Sequence, residues 1–171
     1  MNKIVIDSDG LIKLNRAGIL VKFLSLYKCL VPEEVYAEAV LKGKRELYED
    51  AFELEKILKN MNVEILKAEF NEKAESIIKG VTGLGDGEKA VLHLFFNNEN
   101  TIILSDDRRF INLLERNKIP FITPGSVLLY LVERGNISKT EGLESLERLK
   151  PYIRGIVYEK IKLILLGEKY E

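Results

Sequence analysis

Short apolar runs alternate with longer segments of helical period along this sequence, and that alternation limits the possible folds more than any other feature. Five strands are predicted, at Lys3–Ile6, Cys29–Val31, Val63–Ile65, Thr101–Leu104 and Ile119–Ile122. Between these runs, apolar residues recur at the spacing of amphipathic helices. Strands that alternate with helices favour parallel pairing. We therefore predict an α/β fold with a mostly parallel central sheet.

Length and composition indicate one soluble domain. The 171 residues are close to the usual size of a single domain, and 46% of them are hydrophobic, which is enough for a core. No apolar run reaches the roughly 18 residues of a membrane span, and the N-terminus has no secretory signal. The single cysteine, Cys29, allows no internal disulfide. We therefore expect a protein of the reducing cytoplasm.

Acidic residues occupy the positions where a parallel sheet forms its binding crevice, beyond the carboxyl ends of the strands. Asp7 follows the first predicted strand, and Asp106 and Asp107 follow the strand with the strongest pattern. Glu38 and Glu88 lie near the starts of helices that follow a strand and a glycine-rich loop. The sequence therefore predicts a crevice lined by carboxylates.

Several carboxylates in one crevice repel one another, and a hard divalent cation resolves that repulsion. Oxygen ligands without cysteine or histidine suit Mg²⁺ or Mn²⁺ rather than Zn²⁺. The only histidine, His93, lies inside an apolar helical segment, so acid–base chemistry through histidine is not expected. The chemistry that such a site supports is attack of an activated water on a phosphodiester.

Each of these acids also has a purely structural interpretation. Asp7 can cap the helix that follows it. Glu88 can be a favourable partner of a helix dipole. Glu38 can be a solvated helix residue, and Glu33 and Glu34 offer the same charge on the same helix. Their shared placement near one predicted crevice is what favours a functional role.

Four motifs in fixed order resemble the PIN-domain nucleases, and in particular the VapC-like toxins. The motifs are Asp7-Ser8, the segment from Val31 to Glu38, the loop from Gly85 to Glu88, and the segment from Ile103 to Arg109. The resemblance runs through essentially the whole chain. It implies a three-layer α/β/α domain over residues 1–171, with a core of about 1–134 and a C-terminal helical extension over 135–171.

The same resemblance implies the roles of the acids. Asp7 corresponds to the first metal ligand, Glu38 to the second acid and Glu88 to the third. The fourth is Asp106 or Asp107, because related branches use either position. Asp9 stands where many members have a small uncharged residue, so it can bind a second metal through water or simply cap a helix. Family members are Mg²⁺- or Mn²⁺-dependent ribonucleases, often homodimers, and often encoded with an inhibitory antitoxin.

Substrate binding requires cations near the acids, because the chain as a whole has a net charge of only −1. Ser8, Lys13, Arg16, Arg108 and Arg109 are predicted to contact RNA. Other candidates are Lys42, Lys44 and Arg45. The alternative for each cation is a solvated surface charge.

Two other functions fit the same residues. One is a DNA-directed nuclease or a phosphatase of related build, and the other is a PIN-like protein-interaction module without nuclease activity. Two apolar stretches, Leu128–Val132 and Ile153–Leu165, either complete the core or form a homodimer interface. The resemblance favours a symmetric homodimer.

Overall fold

Among the residues that the structure describes, five parallel strands form the central sheet, in the order β3-β2-β1-β4-β5. They are β1 (Lys3–Ile6), β2 (Lys28–Pro32), β3 (Val63–Leu66), β4 (Thr101–Leu104) and β5 (Phe121–Ile122). A computed structural model describes residues 3–61 and 63–168 of the chain. The parts of the predicted domain at 1–2, 62 and 169–171 lie outside the described residues.

The predicted strands are all present, and the sheet is parallel throughout the described residues. The last strand is shorter than its predicted range of 119–122 and begins only at Phe121. Pro120 explains the difference: its carbonyl accepts a hydrogen bond from Ile103, but proline has no N–H to donate to the ladder.

Helices connect the strands and follow the last one. They are α1 (Ser8–Arg16), α2 (Leu20–Leu26), α3 (Glu33–Tyr36), α4 (Gly43–Arg45), α5 (Glu49–Asn60), α6 (Glu72–Lys79), α7 (Asp86–Phe96), α8 (Arg108–Arg116), α9 (Pro124–Glu133), α10 (Lys139–Leu149) and α11 (Gly155–Leu166). A 3₁₀ turn, Lys150–Tyr152, joins the last two. Of the helices over 3–61 and 63–168, none has the length and apolar character needed to cross a bilayer.

A π-helical segment, Ala37–Lys42, lies between α3 and α4, so the backbone is helical without a break from residue 33 to residue 45. A π-helical turn is wider than an α-helical turn and shifts the directions of the side chains that follow. Glu38 lies in the first turn of this segment.

The helices pack on both faces of the sheet, which confirms the predicted three-layer α/β/α fold. On one face α1 contacts α2, α5, α9 and α10, and α9 contacts α11. On the other face α7 packs across β1, β2 and β4, with α6 beside it. One continuous hydrophobic core extends from Val5 in β1 to Leu165 in α11. The C-terminal helices therefore share the core of the sheet.

Pro124 and Gly125, which the sequence pattern marks as a turn, instead form the first turn of α9. Proline is well suited to this position, because the first helical residues need no N–H. Thr123 caps the helix by accepting a hydrogen bond from the N–H of Ser126 at 3.2 Å. Gly125 lets α11 approach closely, since a Cβ there would lie 2.6 Å from Cδ1 of Ile161.

Candidate active site

The sheet order creates a crevice where β1 and β4 lie side by side. From β1 the chain passes to β2 on one side, whereas β4 lies on the other side and passes to β5. Such a switch point opens a crevice beyond the carboxyl ends of the two strands. A cavity of about 390 Å³ occupies that place, and it is lined by Asp7, Ser8, Asp9, Ile12, Glu38, Gly85, Gly87, Glu88 and Asp107.

Asp7 forms the floor of this cavity and is only 3% exposed. One carboxylate oxygen accepts the N–H of Gly10 at 2.6 Å, and so caps α1. The other oxygen accepts a hydrogen bond from the hydroxyl of Ser105. Burial raises the pKa of Asp7 from 3.8 to about 7, although both hydrogen bonds lower it. Asp7 is therefore both a helix cap and a buried acid in the cavity.

Glu38 reaches the cavity from the π-helical segment. Its Oε2 atom accepts a hydrogen bond from the hydroxyl of Ser8 at 3.0 Å. The backbone of α7 passes close by, because a Cβ on Gly87 would lie 3.0 Å from the same carboxylate oxygen. Glu33 and Glu34, which carry the same charge, do not line the cavity. Of these three glutamates, Glu38 is the one beside the other acids.

Glu88 lies in the first turn of α7, and its Oε2 atom accepts the N–H of Gly85 at 2.7 Å. Burial raises the pKa of Glu88, and the negative charges of Asp107 and Glu38 raise it further. The hydrogen bond from Gly85 and the positive charge of Arg109 oppose this shift. The charges of Asp107 and Glu38 act on the pKa of Glu88 because all three side chains line the same cavity.

The two aspartates after β4 have different surroundings. Asp107 lines the cavity and caps α8, because its Oδ1 atom accepts the N–H of Phe110 at 2.8 Å. Asp106 instead accepts a hydrogen bond from Nζ of Lys13 at 2.6 Å and is not part of the cavity lining. Lys13 also donates to Asp9 at 2.8 Å. Of the two predicted candidates, the structure brings Asp107 to the other acids.

The lining suits a hard divalent cation by its chemistry. Asp7, Glu38, Glu88 and Asp107 offer only carboxylate oxygens, and none of the described lysines or arginines lines the cavity. Glu38, Glu88 and Asp107 each use one oxygen for a hydrogen bond within the described chain, and the second oxygen has no such bond.

Within residues 3–61 and 63–168, no three acidic, histidine or cysteine side chains converge closely enough to hold an ion. Mg²⁺ commonly binds through one or two carboxylates, with water and substrate phosphate completing its shell. The donor set therefore fits such an ion, with room in the cavity for its other ligands.

The predicted substrate-binding residues are scattered around this cavity. Ser8 lines it, and Arg109 lines an adjoining cleft. Lys13 is held by acids, and Arg16 pairs with Asp50 at 2.5 Å. Arg108 is exposed on α8 and lines neither cavity. Of the more distant candidates, Lys44 and Arg45 line a separate surface depression, and Lys42 is exposed.

Histidine and cysteine are remote from the acids. His93 accepts the N–H of Asn71 at its Nδ1 atom, at 3.0 Å, and joins α7 to the start of α6. Cys29 is buried in β2, and burial raises the pKa of its thiol to about 12. Both residues therefore have structural roles, and their positions in apolar segments of the sequence indicate the same.

Ser105 links two of the acids, although no sequence motif predicts a role for it. It is fully buried, donates to Asp7 and accepts the N–H of Asp107 at 3.2 Å. A polar residue that closes a strongly apolar strand is the signal that could have identified it. Asn112 and Arg116, which face the adjoining cleft with Arg109, could have been identified by their helical spacing.

Comparison with known proteins gives one family. The sequence profile of a family described as "PIN domain" matches residues 3–166, which is nearly the whole chain. Among curated proteins, no sequence matches this chain significantly.

Proposed function

This chain belongs to the PIN-domain family, and from that membership we propose that it is a Mg²⁺- or Mn²⁺-dependent endoribonuclease. PIN domains are generally nucleases, and they typically use divalent metals. The observation that carries the proposal is the meeting of four carboxylates, from four separate segments of the chain, in one cavity at the switch point of the sheet. Those acids are Asp7, Glu38, Glu88 and Asp107. A fifth acid of the lining, Asp9, accepts a hydrogen bond from Lys13 at 2.8 Å.

Asp7, Glu38, Glu88 and Asp107 would hold a divalent cation, which when bound would acidify a water molecule and neutralise charge on the phosphodiester. The protein supplies the positions of the acids. Ser105 and the N–H of Gly10 fix the carboxylate of Asp7 at the floor, and the cap of α8 fixes Asp107. Ser8 orients Glu38 at the opposite wall. Side chains held in this way need little rearrangement when substrate binds, which favours the reaction.

Several finer features are also part of the proposal. RNA is the proposed substrate, and a DNA-directed nuclease is the closest alternative, because the acids alone do not distinguish the 2′-hydroxyl. We propose a VapC-like toxin that acts in the cytoplasm. The resemblance of the four sequence motifs supports the toxin role, and the single buried thiol of Cys29 is compatible with a reducing compartment.

A cleavage assay tests this function. Purified protein is incubated with end-labelled single-stranded RNA and with DNA of the same sequence, in Mn²⁺ or in EDTA. We expect cleavage of RNA in Mn²⁺ alone, and loss of cleavage in Asp7→Asn. Asp86→Asn is the matched control, because Asp86 is an exposed acid at the start of α7, beside the cavity, and lines no part of it. Equal cleavage by Asp7→Asn and wild type contradicts the proposal.

A second candidate function, binding of a partner protein, is favoured by an exposed apolar surface. The side chains of Leu41, Leu47, Tyr48 and Phe52 are all exposed near α4 and the start of α5. Arg45 lines the same depression as Leu41 and Phe52. Lys44 lies there too, with its ammonium 5.5 Å from the ring centroid of Phe52, and is paired with Glu55 at 2.6 Å. Exposed apolar residues beside basic ones suit an acidic, amphipathic segment of a partner. A small antitoxin protein is such a partner.

Co-purification with a co-expressed partner distinguishes the two functions. A stable complex that forms with wild type and is lost in Phe52→Glu, together with no cleavage at any Mn²⁺ concentration, supports a protein-interaction module. Cleavage by the free chain supports the nuclease. Ile65→Glu is the matched control, because Ile65 is an exposed apolar residue on β3 and is not part of this surface.

A further inference from the structure

A second cleft opens beside the acidic cavity, between the loop over residues 81–84 and α8. Its volume is about 370 Å³, and its lining includes Glu88 and Asp107, which also line the acidic cavity. These two acids therefore form the wall between the two spaces. A molecule bound in this cleft lies next to any group that is held by the acids.

Two arginines line the cleft, and the positive charge of one of them, Arg109, also acts on the neighbouring Glu88. Arg109 and Arg116 are seven residues apart on α8 and therefore share one face of the helix over two turns. Neither guanidinium has a hydrogen bond or an ion pair with a residue in the described ranges. Arginine presents several N–H donors in a fixed plane, which is the geometry that suits a phosphate.

The loop positions the first of these arginines. Gly83 has φ of +83°, a conformation that glycine adopts readily, and a Cβ at this residue would lie 2.8 Å from Nη2 of Arg109. The backbone of the loop thus packs directly against the guanidinium. This contact limits the movement of Arg109 beside the acids.

Cations on the opposite side of the acidic cavity are already engaged. Lys13 donates to both Asp9 and Asp106, at 2.8 and 2.6 Å. Arg16 forms its ion pair with Asp50 at 2.5 Å. The positive charge that is available beside the acids is therefore on the α8 side. An RNA strand that extends from the acids toward α8 has the most favourable electrostatic interaction with the protein.

The rest of the cleft has the character of a base-binding surface. Val81, Leu84 and Leu113 provide apolar contact, and Asn112 provides an amide that can both donate and accept hydrogen bonds. Single-stranded RNA is recognised by apolar contact with unstacked bases and by hydrogen bonds to their edges. The volume of the cleft is within the range of small-ligand sites, about 300–1,000 Å³.

We propose that this cleft binds one nucleotide of the RNA strand, adjacent to the phosphodiester that is cut. Arg109 and Arg116 hold the phosphate of that nucleotide, and the apolar side chains contact its base. This inference rests on the proposed ribonuclease function.

Fluorescence anisotropy of a labelled single-stranded RNA of about ten nucleotides tests the proposal. EDTA is present, so that binding is measured without cleavage. Arg116→Ala is expected to weaken binding about tenfold and to reduce the magnitude of the slope of log K against log salt by about 0.7. Arg134→Ala is the control, because Arg134 is an exposed arginine at the end of α9 and lines no part of the cleft. It is expected to weaken binding less than about twofold.

Equal losses in Arg134→Ala and Arg116→Ala overturn the proposal, because general attraction by the surface then explains binding. Unchanged binding in Arg116→Ala overturns it as well. Cleavage of the same RNA in Mn²⁺ separates this proposal from the nuclease itself. Binding that depends on Arg116 without any cleavage by wild type supports the cleft and contradicts the nuclease. Cleavage by wild type with unaltered RNA affinity in Arg116→Ala supports the nuclease and contradicts the cleft.

Discussion

The hydroxyl of Ser105 donates a hydrogen bond to the carboxylate of Asp7, and so joins the ends of two neighbouring strands. Both residues are buried, and Ser105 also accepts the N–H of Asp107. One serine therefore orients two of the acids in the cavity. A hydroxyl in this position stabilises the ionised form of Asp7 and thereby lowers its pKa.

Ser105→Ala is expected to destabilise the fold more at pH 8 than at pH 5. At pH 8 Asp7 is mostly ionised, and loss of a hydrogen bond to a charged group costs about 1.5–3 kcal/mol. At pH 5 Asp7 is mostly protonated, because its pKa is about 7, and the cost falls to about 1 kcal/mol. Urea denaturation at the two pH values measures this difference. Ser25→Ala, at an exposed serine in α2, is the control with little effect at either pH. Equal destabilisation by Ser105→Ala at both pH values contradicts the role given to this hydrogen bond.

The pKa of Asp7 also predicts how stability depends on pH without metal. Between pH 4 and pH 7 the native state keeps a proton on Asp7 that the unfolded state has lost, so stability falls as pH rises. Asp7→Asn removes this titration. In EDTA, the free energy of unfolding of Asp7→Asn relative to wild type is expected to rise by about 3 kcal/mol at most between pH 4.5 and pH 8. Urea denaturation across this range is the measurement, with Asp86→Asn as the control. A difference that stays constant with pH contradicts the raised pKa.

Much of the fold could be predicted from the sequence, because runs of β-branched residues that stop at an acid mark the carboxyl ends of buried strands. Which of Asp106 and Asp107 is the fourth acid of the cavity could not be predicted. Adjacent residues in extended backbone point in different directions, and the direction here depends on which one caps α8. The direction of the Glu38 side chain depends on a π-helical segment. It could not be predicted, because sequence patterns assume the 3.6-residue period of an α-helix.

The surroundings of the cations could not be predicted either. Lys13 and Arg16 have the charge that phosphate binding requires, and their ion pairs with Asp106 and Asp50 form only in the folded chain. Such pairs join segments that are far apart in sequence. The spacing of Arg109 and Arg116 is local information, and it is visible once α8 is predicted as a helix.

Divalent cations are expected to raise the melting temperature of wild type. An ion that binds only the native state at 100 times its dissociation constant stabilises it by about 2.7 kcal/mol. For a chain of this length the melting temperature then rises by about 5–10 °C. Thermal unfolding in millimolar Mg²⁺ or Mn²⁺, compared with NaCl of equal ionic strength, measures the shift. Asp7→Asn is expected to lose most of it, and Asp86→Asn to keep it. Unchanged melting of wild type in both ions contradicts an assembled cation site.

Substitution of the two neighbouring aspartates distinguishes their roles. Asp107→Asn is expected to lower kcat/KM for RNA cleavage more than about 100-fold, because loss of an outer partner of a metal ligand alone costs about 10–100-fold. The fold is retained, since asparagine caps a helix as well as aspartate does. Asp106→Asn is expected to keep cleavage within about tenfold of wild type, because Asp106 contacts Lys13 and not the cavity. A larger loss of kcat/KM in Asp106→Asn than in Asp107→Asn contradicts this assignment and makes Asp106 the acid that acts in the reaction.

The remaining prediction concerns association. Val127, Leu128 and Leu131 of α9 are buried in the core, and so are Ile161 and Leu165 of α11. Most of the two apolar stretches that the sequence offers for an interface therefore stabilises the single chain.

Three large apolar residues of α11 are exposed outside that core, and the last of them is Leu166, at 40% exposure. Ile156 is 52% exposed and Ile164 is 55% exposed, and their spacing places them on one stripe of the helix. We propose that a second copy of the chain covers this stripe in a symmetric homodimer.

Light scattering at micromolar concentration is expected to give about twice the 19.6 kDa of one chain. Ile164→Lys is expected to give the mass of one chain, because association would bury the new charge without a partner. Leu47→Lys is the control that keeps the dimer. Leu47 is also an exposed apolar residue, and it lies between α4 and α5 instead of on α11. A wild-type mass of 19.6 kDa that does not change on tenfold concentration contradicts the dimer.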